Sequence, residues 1–203
     1  MADRYIAVAG NIGVGKSTLV AYLQERYGFR PVYEPFAENP YLSDFYADMG
    51  RWAFHSQMWF LSHKYRVHCD LARTSGTLVQ DRTIYEDAEI FAASLYHSGQ
   101  MVERDWATYV ELYEAMKANL PKPDLLIYLK CSVRAIRRRI KQRGRPYEQA
   151  IEATYLRKLN DLYAGWIGRW DASPVLVWDT DDMDYLEDLV HRLEFHRAVE
   201  KFL

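Results

Sequence analysis

Between Gly10 and Ser17 the chain reads Gly-Asn-Ile-Gly-Val-Gly-Lys-Ser, followed by Thr18. Gly10, Gly15, Lys16 and Ser17 meet the pattern G-x-x-x-x-G-K-S, and each residue type has a chemical reason to be there. The glycines let the backbone curl, so that N–H groups from Asn11, Ile12, Gly13 and Val14 onward to Thr18 face phosphate oxygens. A helix starting at Lys16 adds its positive end. The Lys16 ammonium can reach β- and γ-phosphates, and the Ser17 hydroxyl can ligate Mg²⁺. The rival reading is a glycine-rich turn with an exposed lysine. It does not explain the setting, between the apolar β-type run Tyr5–Ala9 and the amphipathic helical run Lys16–Tyr27. The order G-x-x-G-x-G also excludes the dinucleotide fingerprint G-x-G-x-x-G. A nucleoside-triphosphate site is expected, with Mg²⁺ beside the phosphates.

Triphosphate binding alone does not separate a kinase from a GTPase or a motor, but no guanine-reading N-K-x-D is present. Charged residues stand instead at strand ends, where ligands gather in parallel α/β sheets. Glu34 follows the strand run Pro31–Tyr33, and Pro35 favours an extended Glu34. A carboxylate there can accept a proton from an attacking hydroxyl. Asp81-Arg82 closes the run Thr77–Gln80: the acid can hold Mg²⁺ and the arginine can neutralise a transferring phosphate. Arg139 and Arg143 lie four apart on one helical face, and Gly144 frees Arg145 to swing. Such a cluster suits a lid over a triphosphate, whereas Arg134, Arg137, Arg138 and Lys141 are expected to be solvated.

These residues need a scaffold, and the apolar pattern supplies one. Tyr5–Ala9, Pro31–Tyr33, Thr77–Gln80, Leu125–Leu129 and Val175–Trp178 are short β-type runs. Helical patterns alternate with them: Lys16–Tyr27 ending at Gly28, Tyr41 to about Arg73, stretches to about Asn119, Val133–Arg143, about Glu148 to Trp170, and one from about Met183. That alternation predicts a three-layer α/β fold of the P-loop kinase type. A central five-stranded parallel sheet is flanked by helices, and a mobile arginine-rich lid spans about 139–148. At 203 residues one domain over 1–203 is expected.

Composition narrows the class further. Hydrophobic residues at 49% and charged residues at 27% describe a globular protein, and the net charge of −2 argues against a nucleic-acid polymer or a membrane as partner. Met1-Ala2-Asp3-Arg4 has no signal-peptide pattern, and Cys69 and Cys131 lack metal-ligand spacing. Reduced thiols in a cytoplasmic protein are expected. His55, His63, His68 and His97 show no pairing that suggests catalysis.

Taken in order, AGNIGVGKST (9–18), YEP (33–35), FYADMGRWAFHSQ (45–57), DRTIYED (81–87), RGRPYEQ (143–149) with Tyr155, and WDTDD (178–182) resemble the deoxyribonucleoside kinases, especially bacterial deoxyadenosine/deoxyguanosine kinases. The resemblance spans essentially the whole chain. It implies Glu34 as general base for the deoxyribose 5′-hydroxyl, Arg82 beside it, and Asp81 at Mg²⁺, one methylene shorter than the glutamate of many members. It implies Tyr46 and Glu148 on the sugar 3′-hydroxyl, and Arg139, Arg143 and Arg145 in the lid. The loop Asp179, Thr180, Asp181 and Asp182 would lie against the donor adenine, and a homodimer is expected. Gln57 matches a base-reading glutamine, and Lys64 with Asp87 stands where purine- and cytidine-acting members carry an Arg–Asp pair. Trp52 and Phe91 are expected as walls of the base pocket, with Trp59 and Phe60 in the core or a dimer interface. The expected activity is ATP-dependent phosphorylation of deoxyadenosine and/or deoxyguanosine. Deoxycytidine or broad specificity is the alternative, ahead of a nucleoside-monophosphate kinase or a non-catalytic nucleotide binder. Glu34→Gln should leave nucleoside binding nearly intact while turnover falls by roughly 10²–10⁴; unchanged turnover in a steady-state assay removes Glu34 from the mechanism.

Overall fold

The computed structural model describes residues 4–34, 36–71, 74–181 and 189–202. The strands are β1 (Tyr5–Gly10), β2 (Arg30–Val32), β3 (Leu78–Asp81), β4 (Leu125–Lys130) and β5 (Val175–Asp179). Helices α1 (Lys16–Tyr27), α2 (Leu42–Ala47), α3 (Met49–Leu71), α4 (Ile84–Glu86), α5 (Ala93–His97), α6 (Glu103–Lys117), α7 (Val133–Arg143), α8 (Ala153–Arg169) and α9 (Leu189–Val199) connect and cover them. The sheet order is β2-β3-β1-β4-β5 and every pairing is parallel. This is the expected five-stranded α/β architecture. β1 lies at the centre, and the chain leaves it toward β3 on one side and β4 on the other, the topology that opens a crevice at its carboxyl end.

Alternation along the buried strands sorts side chains to two faces. Ile6 and Val8 with Ile127 and Leu129 pack under Leu19, Leu23, Ile136 and Phe195. Ala7 and Ala9 face the other way, and their small size leaves room for Tyr128 and Tyr163, whose rings stack 5.6 Å apart. Each fully buried aliphatic side chain contributes about 1.5–3 kcal/mol relative to its exposed state. Among the described residues no helix is long and apolar enough to cross a membrane.

Three boundaries differ from the sequence expectation. The helical run from Tyr41 breaks at Asp48, whose carboxylate accepts the Arg51 N–H at 3.2 Å and so caps α3. The expected helix from Glu148 begins only at Ala153, after a 3₁₀ turn at Pro146–Glu148. Between α4 and α5 the chain runs through a π-helical stretch, Asp87–Ala92. The expected helix limits at Arg73 and Met183, together with Pro35 and its effect on Glu34, lie outside the described residues.

The turn out of β1 depends on a missing side chain. Gly10 has φ 147°, and a Cβ there would lie 2.7 Å from the Leu129 carbonyl oxygen and 2.9 Å from Val14 Cγ1. Gly10→Ala is therefore expected to cost about 1–3 kcal/mol of folding stability, read from urea unfolding; an unchanged midpoint would show that the strand end shifts freely.

Candidate active site

A cleft of about 820 Å³ opens at the carboxyl ends of β1, β2 and β3. One end is the loop into α1. Ile12, Gly13, Val14, Gly15, Lys16, Ser17 and Thr18 line it, with Gly10 and Asn11 behind. Asn11 ties the loop to α8, donating to the Leu156 carbonyl at 2.9 Å and to Asn160 Oδ1 at 2.7 Å. Its own Oδ1 accepts the Ile12 N–H at 2.7 Å. Lys16 folds back onto the Gly10 and Asn11 carbonyls at 2.8 and 3.0 Å. Burial, then the positive charge of Arg82, pushes its pKa down to about 8. A lysine held so is only weakly committed to its charge, and an incoming phosphate would restore it.

Glu34, just past β2, is the centre of the site. Its carboxylate meets Lys64 Nζ at 3.1 Å and Arg82 Nη1 at 3.3 Å. Burial alone would raise its pKa, but Arg82, Lys64 and Lys16 together hold it at about 2. Arg82 has φ 61°, a left-handed conformation that a non-glycine residue adopts only when its surroundings impose it. Its guanidinium stacks over Phe91 at 4.2 Å.

Lys64 reaches this cluster from α3 with its side chain only 2% exposed, and bonds Asp87 Oδ1 at 2.7 Å. Burial opposes its charge, yet Asp87 and Glu34 raise its pKa. Asp87 behaves differently from Glu34: burial pushes its pKa up to about 6 against the pull of Lys64. Gln57 Oε1 and Asp87 Oδ2 are buried without hydrogen-bond partners among the described residues. The π-helical stretch begins at Asp87, so this acid and Phe91 present to the cleft along a widened turn.

The opposite wall carries the arginine segment. Arg143 donates to Glu148 at 3.0 and 2.5 Å, and Arg145 reaches the same carboxylate at 3.3 Å. Arg145 also stacks over Phe36 at 4.0 Å. Tyr46 and Tyr155 line the cleft beside Glu148. Burial raises both tyrosine pKa values, Tyr155 to about 12, so both are neutral hydroxyl donors. Arg139 lines the cleft but its guanidinium is committed to the Val14 carbonyl at 3.0 Å, Thr180 Oγ1 at 3.1 Å and the Thr180 carbonyl. It pins the phosphate loop to the end of β5. Asp179, Thr180 and Asp181 do not line the cleft: Asp181 accepts the Ser132 N–H at the start of α7, and its N–H donates to Asp179 at 3.0 Å. Asp182 lies outside the described residues. The exposed Arg134, Arg137, Arg138 and Lys141 match the expectation for solvated charges.

Two aromatic assignments are corrected. Trp52 does not line the cleft; its ring stacks on Tyr41 at 5.8 Å and meets His55 edge-on at 5.3 Å. Phe60 lines the cleft instead, with Lys64 Nζ 5.7 Å from its ring centre. Helical periodicity explains both. Phe60 and Lys64 stand three and seven residues after Gln57, on its face, whereas Trp52 stands five before it, about 140° around the helix.

Ser17 and Asp81 fit a divalent cation. Ser17 Oγ donates to Asp81 Oδ2 at 2.5 Å, and Asp81 Oδ1 is buried with no partner among the described residues. No cluster of three or more His, Cys, Asp or Glu among those residues forms an all-protein metal cage. A hydroxyl and one carboxylate, completed by phosphate oxygens and water, is the donor set Mg²⁺ takes.

The profile of the deoxynucleoside kinase family matches residues 6–203. The chain belongs to that family. It is 42% identical to the deoxyadenosine/deoxycytidine kinase of Bacillus subtilis over 185 residues, 90% of this chain and 85% of that one. Identity to the deoxyguanosine kinase of the same organism is 33%, covering 95% and 93%. Deoxyadenosine kinase from M. mycoides with bound dATP superposes with a TM-score of 0.82 at 28% identity, covering 98% of this chain and 99% of that one.

Some of the residues that shape this deoxynucleoside kinase site carried no recognisable signal in the sequence. Glu86 and Tyr163 bracket Gly10 from α4 and α8. Beneath the site, His68 Nδ1 meets the Lys64 carbonyl and Nε2 meets Tyr5 Oη, both at 3.0 Å. Tyr5 donates to Gln80 at 2.6 Å, and Gln80 donates to the Arg82 carbonyl at 3.2 Å. The chain joins the backbones of the two cations that flank Glu34. Burial takes the His68 pKa down to about 4, so its part is structural.

The raised Asp87 pKa has a stability consequence. The folded state binds this proton more tightly than an ordinary aspartate, near 3.8, would. The associated stability is fully present below about 3.8 and is lost as pH rises through about 6. Melting temperatures of wild type and Asp87→Asn should therefore converge toward pH 4 and diverge above pH 6; parallel curves would show that Asp87 is ionised throughout.

Proposed function

We propose that this enzyme transfers the γ-phosphate of ATP to the 5′-hydroxyl of a deoxynucleoside, with deoxyadenosine and deoxyguanosine first and deoxycytidine next. The observation that carries the reading is the position of Glu34. It opens on the same cleft as the loop Gly10–Ser17 and is flanked by Lys64 and Arg82. A pure nucleotide binder has no use for a carboxylate poised beside a phosphate loop.

In this scheme the loop N–H groups and Lys16 hold the donor phosphates. The 5′-hydroxyl bonds to Glu34, which aims its oxygen at the γ-phosphorus and takes its proton. A carboxylate with a pKa near 2 is a weak base. A loose phosphoryl-transfer transition state asks little proton removal early on, so orientation by Glu34 dominates. Arg82, with Arg143 and Arg145 from a lid over about 139–148, neutralises charge on the transferring group. Mg²⁺ held by Ser17 and Asp81 would supply further positive charge on the phosphates. Tyr46 and Glu148 hold the 3′-hydroxyl, and a 2′-hydroxyl would crowd Tyr46. Arg139 and the loop Asp179–Asp181 support the donor side from behind.

At the other end Gln57 and Asp87 present buried acceptors to the base. Adenine N6 and cytosine N4 amino groups satisfy acceptors, while guanine O6 needs a donor, which the Gln57 amide or Lys64 can provide. Phe60 and Phe91 supply flat walls. The relatives named for deoxyadenosine/deoxycytidine and for deoxyguanosine support the same range. A single domain, a homodimer and a cytoplasmic setting, with no nucleic-acid polymer or membrane as partner, complete the proposal.

Purified protein with ATP and Mg²⁺ should phosphorylate deoxyadenosine or deoxyguanosine with the highest kcat/KM, deoxycytidine less well and thymidine least. A preference for deoxynucleoside monophosphates as acceptors would overturn the role of Glu34.

A further inference from the structure

Gly10, where β1 becomes the phosphate loop, is held by both of its polar backbone groups. Its N–H donates to Glu86 Oε1 at 3.2 Å. Its carbonyl accepts from Lys16 Nζ at 2.8 Å and from Tyr163 Oη at 2.9 Å. Tyr163 Oη also lies 2.7 Å from Glu86 Oε1, and Glu86 Oε2 accepts the Thr83 N–H at 3.1 Å. Both Glu86 and Tyr163 are 0% exposed.

The protons of this ring can be counted. The Gly10 and Thr83 contacts each carry a backbone hydrogen. The other two, Tyr163 to the Gly10 carbonyl and Tyr163 to Glu86, share one hydroxyl proton. With Glu86 ionised, one of these becomes a bare oxygen–oxygen contact in the interior, an arrangement buried polar groups avoid. A proton on Glu86 Oε1 removes the conflict. Oε1–H donates to Tyr163 Oη, Tyr163 donates to the Gly10 carbonyl, and Oε1 still accepts the Gly10 N–H. The demand sharpens when Lys16 turns from the Gly10 carbonyl toward a triphosphate, because Tyr163 is then the side-chain donor left on that oxygen.

We propose that Glu86 is a positioning residue that acts as a neutral carboxylic acid, fixing the Gly10 peptide through Tyr163 and so releasing Lys16 to the donor phosphates. The charged groups facing it are Arg82 at the end of β3 and Lys16 on α1, and both favour its ionised form. Tyr163 on α8, Tyr5 on β1 and Tyr128 on β4 complete the titratable surroundings. Burial is the largest influence and pushes the Glu86 pKa up, in agreement with the count.

The proposal rests on Gly10–Ser17 being the donor's phosphate cradle. Its test is the KM for ATP, set against the KM for the deoxynucleoside, in Glu86→Ala, Glu86→Gln and Tyr163→Phe. Glu86→Ala and Tyr163→Phe should raise the ATP KM about tenfold, with the deoxynucleoside KM moving by no more than about twofold. Glu86→Gln keeps an uncharged donor toward Tyr163, but its amide nitrogen cannot also accept the Gly10 N–H, so its ATP KM should fall between that of wild type and that of Tyr163→Phe. At neutral pH the infrared spectrum should contain a protonated-carboxyl stretch that Glu86→Gln removes; this readout does not depend on the alanine variant folding. A glutamine variant as impaired as Tyr163→Phe, or a missing band, overturns the neutral acid. Equal rises in both KM values overturn the coupling to the phosphate loop. Lys16→Ala separates the premises: ATP-dependent turnover surviving there sinks the cradle reading itself, whereas its loss upholds the cradle and lets the other variants decide on Glu86.

Discussion

A buried carboxylate between two cations organises this protein. Glu34 sits between Lys64 and Arg82, and Lys64 spans onward to Asp87. Taking four charges out of water is costly, and removing one partner leaves an uncompensated buried charge. The surrounding elements accept local strain to keep the set closed. Arg82 holds a left-handed backbone, the helix after β3 widens at Asp87, and a lysine is buried in α3. Departures from local rules that converge on one cleft are what a functional site is expected to show.

The cluster also divides labour between two acids. Three cations keep Glu34 ionised, while burial keeps Asp87 close to its protonation threshold. Two carboxylates in one cleft thereby have their pKa values pushed far apart, the pattern that separates a permanent acceptor from an adaptable one. Glu148 is a third acid, and in this structure it binds Arg143 and Arg145, so the wall that carries Tyr46 and Tyr155 and the arginine segment share one carboxylate.

How much of this was legible in the sequence depended on how local each demand is. The loop Gly10–Ser17 could be read because its glycines and lysine answer a need met within eight residues. The five strands could be read because parallel strands buried on both faces are short apolar runs. Gln57, Lys64 and Asp87 entered only through a family resemblance, and the burial of Lys64 had no sign in the sequence, since a lone lysine on a helix normally faces water. Trp52 is misplaced when ring type is weighed above helical phase, which favours Phe60. Glu86 stayed hidden for the opposite reason: Thr83-x-x-Glu86 is complete as a helix-capping pattern, and nothing local asks for a second role. Tyr163, 153 residues from Gly10, joins it only through the fold.

The displacement of Trp52 from the cleft extends to the other tryptophans. None of the six lines the site. Trp52 and Trp59 ride on α3, the helix that carries Gln57 and Lys64, while Trp166 and Trp170 meet edge-on at 5.1 Å in and just beyond α8. With excitation confined to the indoles, and so blind to the cleft-lining Tyr46 and Tyr155, a change in emission on adding nucleoside or nucleotide becomes an optical gauge of the scaffold helices rather than of contact in the cleft.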